Sequence, residues 1–317
     1  MITQVAVPRS NQLRSSVLAA MLAMLSLSAC HHPPKSGLSP SRATARPNML
    51  VSTEWLATHL GDKELVVLHV GRRAQYDSGH LAGARFVALG DISKPAVTGQ
   101  LSLQMPDVEQ LTAWARTIGI GDKSRIIVVP HDDTLQSAAR VFLTLAYLGA
   151  MDRMSMLDGG YKSWRAEGRP TTMTAPLAVV PTKFTPRPRP ELNATIETVE
   201  TATIDGRLSI VDARLPRFYN GDGGGFPRPG HIPTAVNIPF ATVSESGHFK
   251  APTALQKLFT DAGVADGKPV VTYCHIGQQA SLLWFVATML GYDAKMFDGS
   301  FQEWSGAERL PVVAPKK

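Results

Sequence analysis

The same ordered set of motifs is written twice in this chain, and that repetition constrains the fold more than any single residue. Leu65-Val66-Val67-Leu68-His69-Val70 is answered by Leu208-Ser209-Ile210-Val211-Asp212-Ala213, and Gln75-Tyr76 by Phe218-Tyr219. Gly79-His80-Leu81-Ala82-Gly83-Ala84 returns as Gly230-His231-Ile232-Pro233-Thr234-Ala235, after a Gly/Pro-rich insert from Gly221 to Pro229 that the first copy lacks. The apolar run Ile126–Val129 parallels Val270–Tyr273, and Leu148-Gly149 parallels Leu290-Gly291. Leu157-Asp158-Gly159-Gly160 with Trp164 pairs with Phe297-Asp298-Gly299-Ser300 and Trp304.

Within each copy short apolar runs alternate with amphipathic segments such as Asp107–Ile118 and Ser137–Leu148, the pattern of an α/β domain built on a mainly parallel sheet flanked by helices. A 317-residue chain that is 44% hydrophobic can bury two such cores. The boundaries follow from composition: 49–175 for the first domain, a proline-rich connector over 176–192, and 193–317 for the second domain with a short tail. The net charge of +6 suits small anions or an anionic bilayer. No basic run is interleaved with aromatics, which excludes nucleic acid from the expected partners.

Only two cysteines occur. Cys274 ends the run Pro269–Tyr273 and precedes a short loop, His275-Ile276-Gly277-Gln278-Gln279, and a helical segment from Ala280. A thiol there faces unpaired backbone N–H groups and the positive end of a helix dipole, which favours the thiolate and suits an anionic substrate. A buried structural cysteine fits the same local pattern. In the first copy the strand match sets Pro130 opposite Cys274, whereas the Leu-Gly match sets Asp132 there; nothing in Pro130-His131-Asp132-Asp133-Thr134 carries a nucleophilic sulfur. His131 reads as part of a surface loop.

Cys30 belongs to another element. Residues 1–29 carry Arg9 and Arg14, then an apolar stretch from Val17 to Leu27 ending in Leu27-Ser28-Ala29-Cys30. That reads as an export signal, too short to span a membrane, and its end resembles the bacterial lipoprotein signal, cut before a cysteine that receives lipid. Residues 30–48, rich in Ser, Pro and Arg, read as a flexible tether, and His31 and His32 within it as solvated residues rather than metal ligands. The chain is thus expected to face the periplasm on a lipid anchor at Cys30, with Cys274 its sole free thiol.

With these motifs in order, about 265 residues from Met49 to Val313 resemble the tandem rhodaneses, the thiosulfate/3-mercaptopyruvate sulfurtransferases. The resemblance rests on Val211-Asp212-Ala213-Arg214, Gly230-His231-Ile232-Pro233, Tyr273-Cys274, and Asp298-Gly299-Ser300 with Trp304. It implies that Cys274 takes a sulfane sulfur from a small anionic donor as a persulfide. The sulfur then passes to a thiol or cyanide, or to a protein acceptor, without metal or organic cofactor. It also implies a catalytically dead first domain, in keeping with His69 and Gly71 where the second copy has Asp212 and Arg214. A carrier that forms the same persulfide and hands it to a partner is the alternative from another class.

The six-residue loop Cys274–Gln279 has the length that the family uses for sulfur. Gly277 is expected to let backbone approach the anion, His275 to supply charge when protonated, and Gln278 and Gln279 to donate to sulfonate oxygens, with Ile276 completing the loop. Thiosulfate-specific members carry basic loop residues and mercaptopyruvate-specific ones small neutral residues; this loop matches neither. Many tandem members place a substrate arginine where Phe218 stands, so Arg217, one residue earlier, and Arg228 in the insert are the expected anion-binding cations. They favour thiosulfate. Asp212 and Arg214 are expected to form an internal ion pair, and Ser281 to support the loop either near the sulfur or as a helix-start residue.

Overall fold

The computed structural model describes residues 45–174, 178–223 and 225–314. The expected export signal, Cys30 and most of the tether lie outside them. In the first half, β1 (Leu50–Val51), β2 (Leu65–Val70), β3 (Arg85–Val87), β4 (Arg125–Pro130) and β5 (Met154–Leu157) form a parallel sheet in the order β1-β5-β4-β2-β3. The second half has β6 (Asn193–Ala194), β7 (Ser209–Asp212), β8 (Val236–Asn237), a short antiparallel hairpin of β9 (Ser244–Glu245) and β10 (His248–Phe249), then β11 (Val270–Tyr273) and β12 (Ala294–Phe297). Its sheet runs β6-β12-β11-β7-β8, the first sheet's order again. The central strands β4 and β11 are buried almost throughout, and so read as unbroken apolar runs rather than alternating ones.

The helices are α1 (Thr53–His59), α2 (Arg73–Ser78), α3 (Val108–Thr117), α4 (Leu135–Tyr147) and α5 (Gly160–Ala166) in the first half. The second has α6 (Ile196–Asp205), α7 (Pro216–Tyr219), α8 (Pro252–Asp261), α9 (Gln278–Met289) and α10 (Ser300–Gly306). Asp107, read as the first residue of its helix, is the cap of α3: its side chain accepts from Gln110 N at 2.8 Å. α9 begins at Gln278, two residues before the apolar run that signals it. Ten of its residues, from Ala280 to Met289, are buried, and a helix apolar all round belongs inside a structure. α9 packs on α4, with Phe142 edge-on to Phe285 at 4.9 Å. The main core therefore runs unbroken from Leu68 and Val128 in one half to Val211 and Cys274 in the other.

The proline-rich connector is tied down along the first domain. Arg187 N and Arg189 N donate to Leu148 O and Tyr147 O, Thr182 Oγ1 donates to Ile120 O, and Phe184 is fully buried with the Arg153 guanidinium over its ring. Gly149 has φ +91°, and a Cβ there would lie 2.6 Å from Arg187 O. That glycine is needed for the connector to lie against α4.

The halves also exchange loops. Asp158 accepts from Phe249 N at 2.9 Å and from the His248 ring at 3.0 Å. Reciprocally, Asp298 accepts from Met105 N at 2.9 Å, and its carbonyl accepts from Gln104 Nε2. Each Asp-Gly turn thereby holds a segment of the other domain, and the two active-site positions of the repeat both face the seam.

Candidate active site

Cys274 follows β11 directly. The α10 turn fixes its backbone: Cys274 N donates to Ser300 Oγ at 3.2 Å, and Phe301 N and Gln302 N donate to Cys274 O and His275 O, both at 3.0 Å. The thiol is 1% exposed, and the backbone N–H groups of Ile276, Gly277, Gln279 and Ala280 point at its sulfur. This is the ring of unpaired amides expected at a helix start. The balance of forces differs from the expectation of a ready thiolate. Burial pushes the Cys274 pKa up, and this exceeds the opposing pull of those amides. The resting group is a cradled thiol.

Behind the loop, Asp212 and Arg214 form the expected internal pair, fully buried. The guanidinium Nε donates to both carboxylate oxygens at 3.0 Å, and Nη2 donates to Oδ2 at 2.6 Å and to Gly230 O at 2.7 Å. It also lies over the Phe301 ring at 4.1 Å. Nε and Nη2 are spent internally, so the pair braces the end of β7.

Several loop residues do other work than the sequence suggests. His275 sits between Phe218, edge-on at 4.7 Å, and Phe226, stacked at 5.8 Å. Burial first, and the Arg214 charge second, push its pKa down, so it is a neutral ring near pH 7 rather than a source of charge. Its Nδ1 is 3.3 Å from Gln279 Oε1. Gln278, expected to face sulfonate oxygens, donates from Nε2 to Ser137 Oγ of the first domain at 2.8 Å. Gly277 has φ +87°, with its absent Cβ facing Asp298 and Arg140 rather than the anion: the glycine is required by a left-handed turn packed against the other domain. Ser281 is buried and donates to Gly277 O at 2.8 Å, which makes it a brace of the loop and not a partner of the sulfur. Ile276 is half-buried and contributes its amide.

Of the two candidate arginines the structure corrects one. Arg228 spends its guanidinium on the carbonyls of Trp304, Ser305, Ala307, Glu308 and Leu310, so it caps the C-terminal end of α10, where the dipole and unpaired carbonyls call for a cation. Arg217 is exposed and rests on the Phe218 ring at 4.5 Å, on the ring that abuts His275. It is the cation that remains near the loop.

The first domain settles the alignment that the sequence left open. β2 sets His69 against Val129, as β7 sets Asp212 against Tyr273. Pro130 therefore takes the place of Cys274, and the extra residues fall in the loop. His131, read as a surface residue, is 8% exposed, and its Nδ1 is 2.8 Å from His69 Nε2. A neutral histidine pair thus replaces the Asp212–Arg214 ion pair, and the His131 side chain fills the space beside Gly71. Asp132 pairs with Arg165 at 3.3 Å. The contacts made by Arg140 are the part of the site that sequence reasoning missed. No group of metal-ligating side chains suited to an ion occurs among the described residues.

Comparison with known proteins agrees with this geometry. A family model described as rhodanese-like domain matches residues 52–167 and again 194–307. A sulfur carrier protein of Thermus thermophilus is 32% identical over 286 residues, 85% of this chain and 98% of its own length. A thiosulfate sulfurtransferase, so named, of Mycobacterium leprae is 30% identical over 84% of this chain and 98% of its own. Among solved structures, a 3-mercaptopyruvate sulfotransferase of Escherichia coli superposes with a TM-score of 0.71 at 26% identity, covering 80% of this chain and 98% of that one. An anaerobic ergothioneine biosynthesis enzyme of Chlorobium limicola shares the fold, with a TM-score of 0.75 at 21% identity over 85% of this chain and 71% of its own.

Proposed function

Because the chain belongs to the rhodanese-like domain family through both of its halves, we propose that it is a sulfurtransferase working through a persulfide on Cys274. The observation that carries this reading is the set of four backbone N–H groups converging on one buried sulfur. Fixed donors aimed at an anionic sulfur stabilise charge without reorganising during the reaction. In the first step the Cys274 thiolate attacks the outer sulfur of thiosulfate. The S–S bond of the donor breaks, and sulfite leaves with the bonding pair. In the second step cyanide or a thiolate attacks the terminal sulfur of the persulfide, releasing the sulfurated acceptor and restoring the cysteine thiolate.

Thiosulfate is the favoured donor, with 3-mercaptopyruvate the alternative. The support has narrowed to Arg217, since His275 is held neutral and Arg228 is engaged elsewhere. A dianion gains more from one nearby cation than a monoanionic keto acid does. Donor treatment should add one sulfur to Cys274 by mass spectrometry and none to Cys274→Ser. In steady state, salt and Arg217→Ala should each raise KM for thiosulfate more than KM for mercaptopyruvate. A much faster mercaptopyruvate reaction, indifferent to both, would reverse the substrate assignment. The name of the Thermus thermophilus relative favours a second reading, a carrier that loads one sulfur and delivers it to a protein. Single loading without turnover on small acceptors would select it. We also propose that the chain is lipid-anchored at Cys30 and faces the periplasm.

A further inference from the structure

We propose that Arg140, supplied by the domain that lacks the cysteine, is a positioning residue for the Cys274 loop. It acts through Asp298 on the Gly277 turn whose amides receive the sulfur. Arg140 is 1% exposed on α4, at the seam between the halves. Its Nη2 donates to Asp298 Oδ1 at 2.5 Å and to Leu103 O at 2.8 Å. The other Asp298 oxygen accepts from Met105 N, so arginine, carboxylate and the 103–105 segment form one buried unit. Against that unit lies Gly277: a Cβ built there would be 3.1 Å from Asp298 O, 3.2 Å from Arg140 Nη1 and 3.4 Å from Asp298 Oδ1. One turn before Arg140 on the same helix, Ser137 accepts from Gln278. The helix of the cysteine-less domain thus holds the two consecutive residues at which the loop becomes α9. One of the four amides on Cys274, that of Gly277, belongs to the pair so held, and those of Ile276 and Gln279 flank it.

The repeat supplies an internal comparison. α4 and α9 end in the matching Leu148-Gly149 and Leu290-Gly291, with the glycines at φ +91° and +88°. Counting back from those ends sets Arg140 against Leu282. On the side of the degenerate site, Leu282 lines a cavity of about 450 Å³ together with His131, Asp132, Leu135, Gln136 and Phe240. At the matching place beneath the cysteine loop stands a guanidinium paired to the turn that follows β12. A buried charge at an interface is costly unless it is paired, and Arg140 Nε has no partner among the described residues. Simple packing between helices is met at the other position by leucine. The arginine is present where the cysteine is, and absent where it is not.

The proposal rests on Cys274 as the reacting sulfur, and the test separates the two. In the full chain, the pH dependence of Cys274 alkylation by iodoacetamide reads the order and charge of the cradle whether or not sulfur is transferred. Thiosulfate-to-cyanide turnover reads the reaction. Arg140→Met leaves the Asp298 carboxylate unpaired beside Gly277. The alkylation midpoint should then move to higher pH by about one unit, and kcat should fall about tenfold or more while KM changes less than threefold. Arg140→Lys, which keeps the charge and can reach Asp298, should recover most of both. If Arg140→Met does not fold, the doubly neutral Arg140→Met/Asp298→Asn chain decides. It buries no unpaired charge, and should fold yet still lose kcat about tenfold because the turn has lost its anchor. The proposal is overturned if a folded variant keeps the wild-type alkylation profile and kcat within twofold. It is equally overturned if Lys and Met lose activity alike, in step with Tm, with the profile unmoved. Absence of turnover in the wild type with both thiosulfate and mercaptopyruvate, with a shifted alkylation profile in Arg140→Met, would sink the sulfurtransferase reading and leave the positioning role standing.

Discussion

Replacing the buried His69 by glutamine should flatten the response of the protein's stability to acid. His69 is fully buried, hydrogen-bonded to His131 through Nε2, with no partner for Nδ1 among the described residues. Burial first, then the neighbouring His131 and His80, lower its pKa from 6.5 to about 3. The sign follows from linkage. Between pH 6.5 and about 3 the unfolded chain binds a proton on this ring and the folded chain does not, so acid favours unfolding throughout that window. The full stability is present above pH 6.5 and is lost progressively below it. At pH 5 the loss from this one group is ~2 kcal/mol. With a Tm shift of roughly 1.5–2 °C per kcal/mol for a chain of this length, that is about 3–4 °C. His131, whose pKa burial also lowers, acts in the same direction, so the comparison with His69→Gln isolates the His69 share. Thermal unfolding of both proteins at pH 7.5 and pH 5 is the assay. The wild type should lose those extra degrees relative to the variant, whatever their absolute Tm values. Parallel losses would refute the reasoning, because they would mean that the buried ring is protonated in the folded state at little cost.

Three further outcomes follow from the site and its surroundings. Arg228→Met should lower stability by about 1–3 kcal/mol, since the carbonyls at the end of α10 lose their donor, while leaving kcat/KM for thiosulfate within threefold; a selective loss of thiosulfate use would restore it as a substrate residue. Because burial raises the Cys274 pKa, the second-order rate with thiosulfate should keep climbing with pH past the ordinary cysteine value of ~8.5, and a plateau near neutrality would show a thiolate already formed at rest. Cys30→Ala should release the protein from the membrane fraction or leave an unprocessed precursor, and a native chain found soluble with an unmodified N-terminus elsewhere would exclude the lipid anchor.

Much of the architecture was legible because the strongest signals are local. Leu65–Val70 is a strand with the bounds its apolar run suggests, and the duplicated motifs carry the duplicated sheet order. The Asp212–Arg214 pair could be read because its partners are two residues apart on one strand end. Less legible were contacts that join distant stretches. Nothing near Arg228 in sequence announces that its acceptors are the carbonyls of residues 304–310, and an arginine in a Gly-rich insert looks free to bind anions until α10 is folded beside it. The same holds for Gln278, whose partner is Ser137, and for Phe184, which gives a proline-rich connector a place in the core. Arg140 was invisible for a related reason. It sits inside an amphipathic helix of the copy without the cysteine, and its role depends on Asp298, which lies in the other half.

The two copies also show how a repeat can diverge without losing its seam. Both keep the Asp-Gly turn that grips the opposite domain, since Asp158 holds Phe249 and Asp298 holds Met105. What differs lies behind and beneath the sites. In the second half a hydrogen-bonded ion pair braces the end of β7, beside the strand that leads to Cys274. In the first half His69 and His131 replace it with neutral rings, which avoid the desolvation cost of buried charge where no anion need be met. The cysteine side holds Asp212, Arg214, Asp298 and the borrowed Arg140, whereas the other side keeps Asp158 but has His69, Gly71 and Leu282 at the remaining places. A domain that had decayed into a passive partner would be free to lose the arginine as well. Its position, paired to Asp298 against Gly277, links the half without the cysteine to the Cys274 loop.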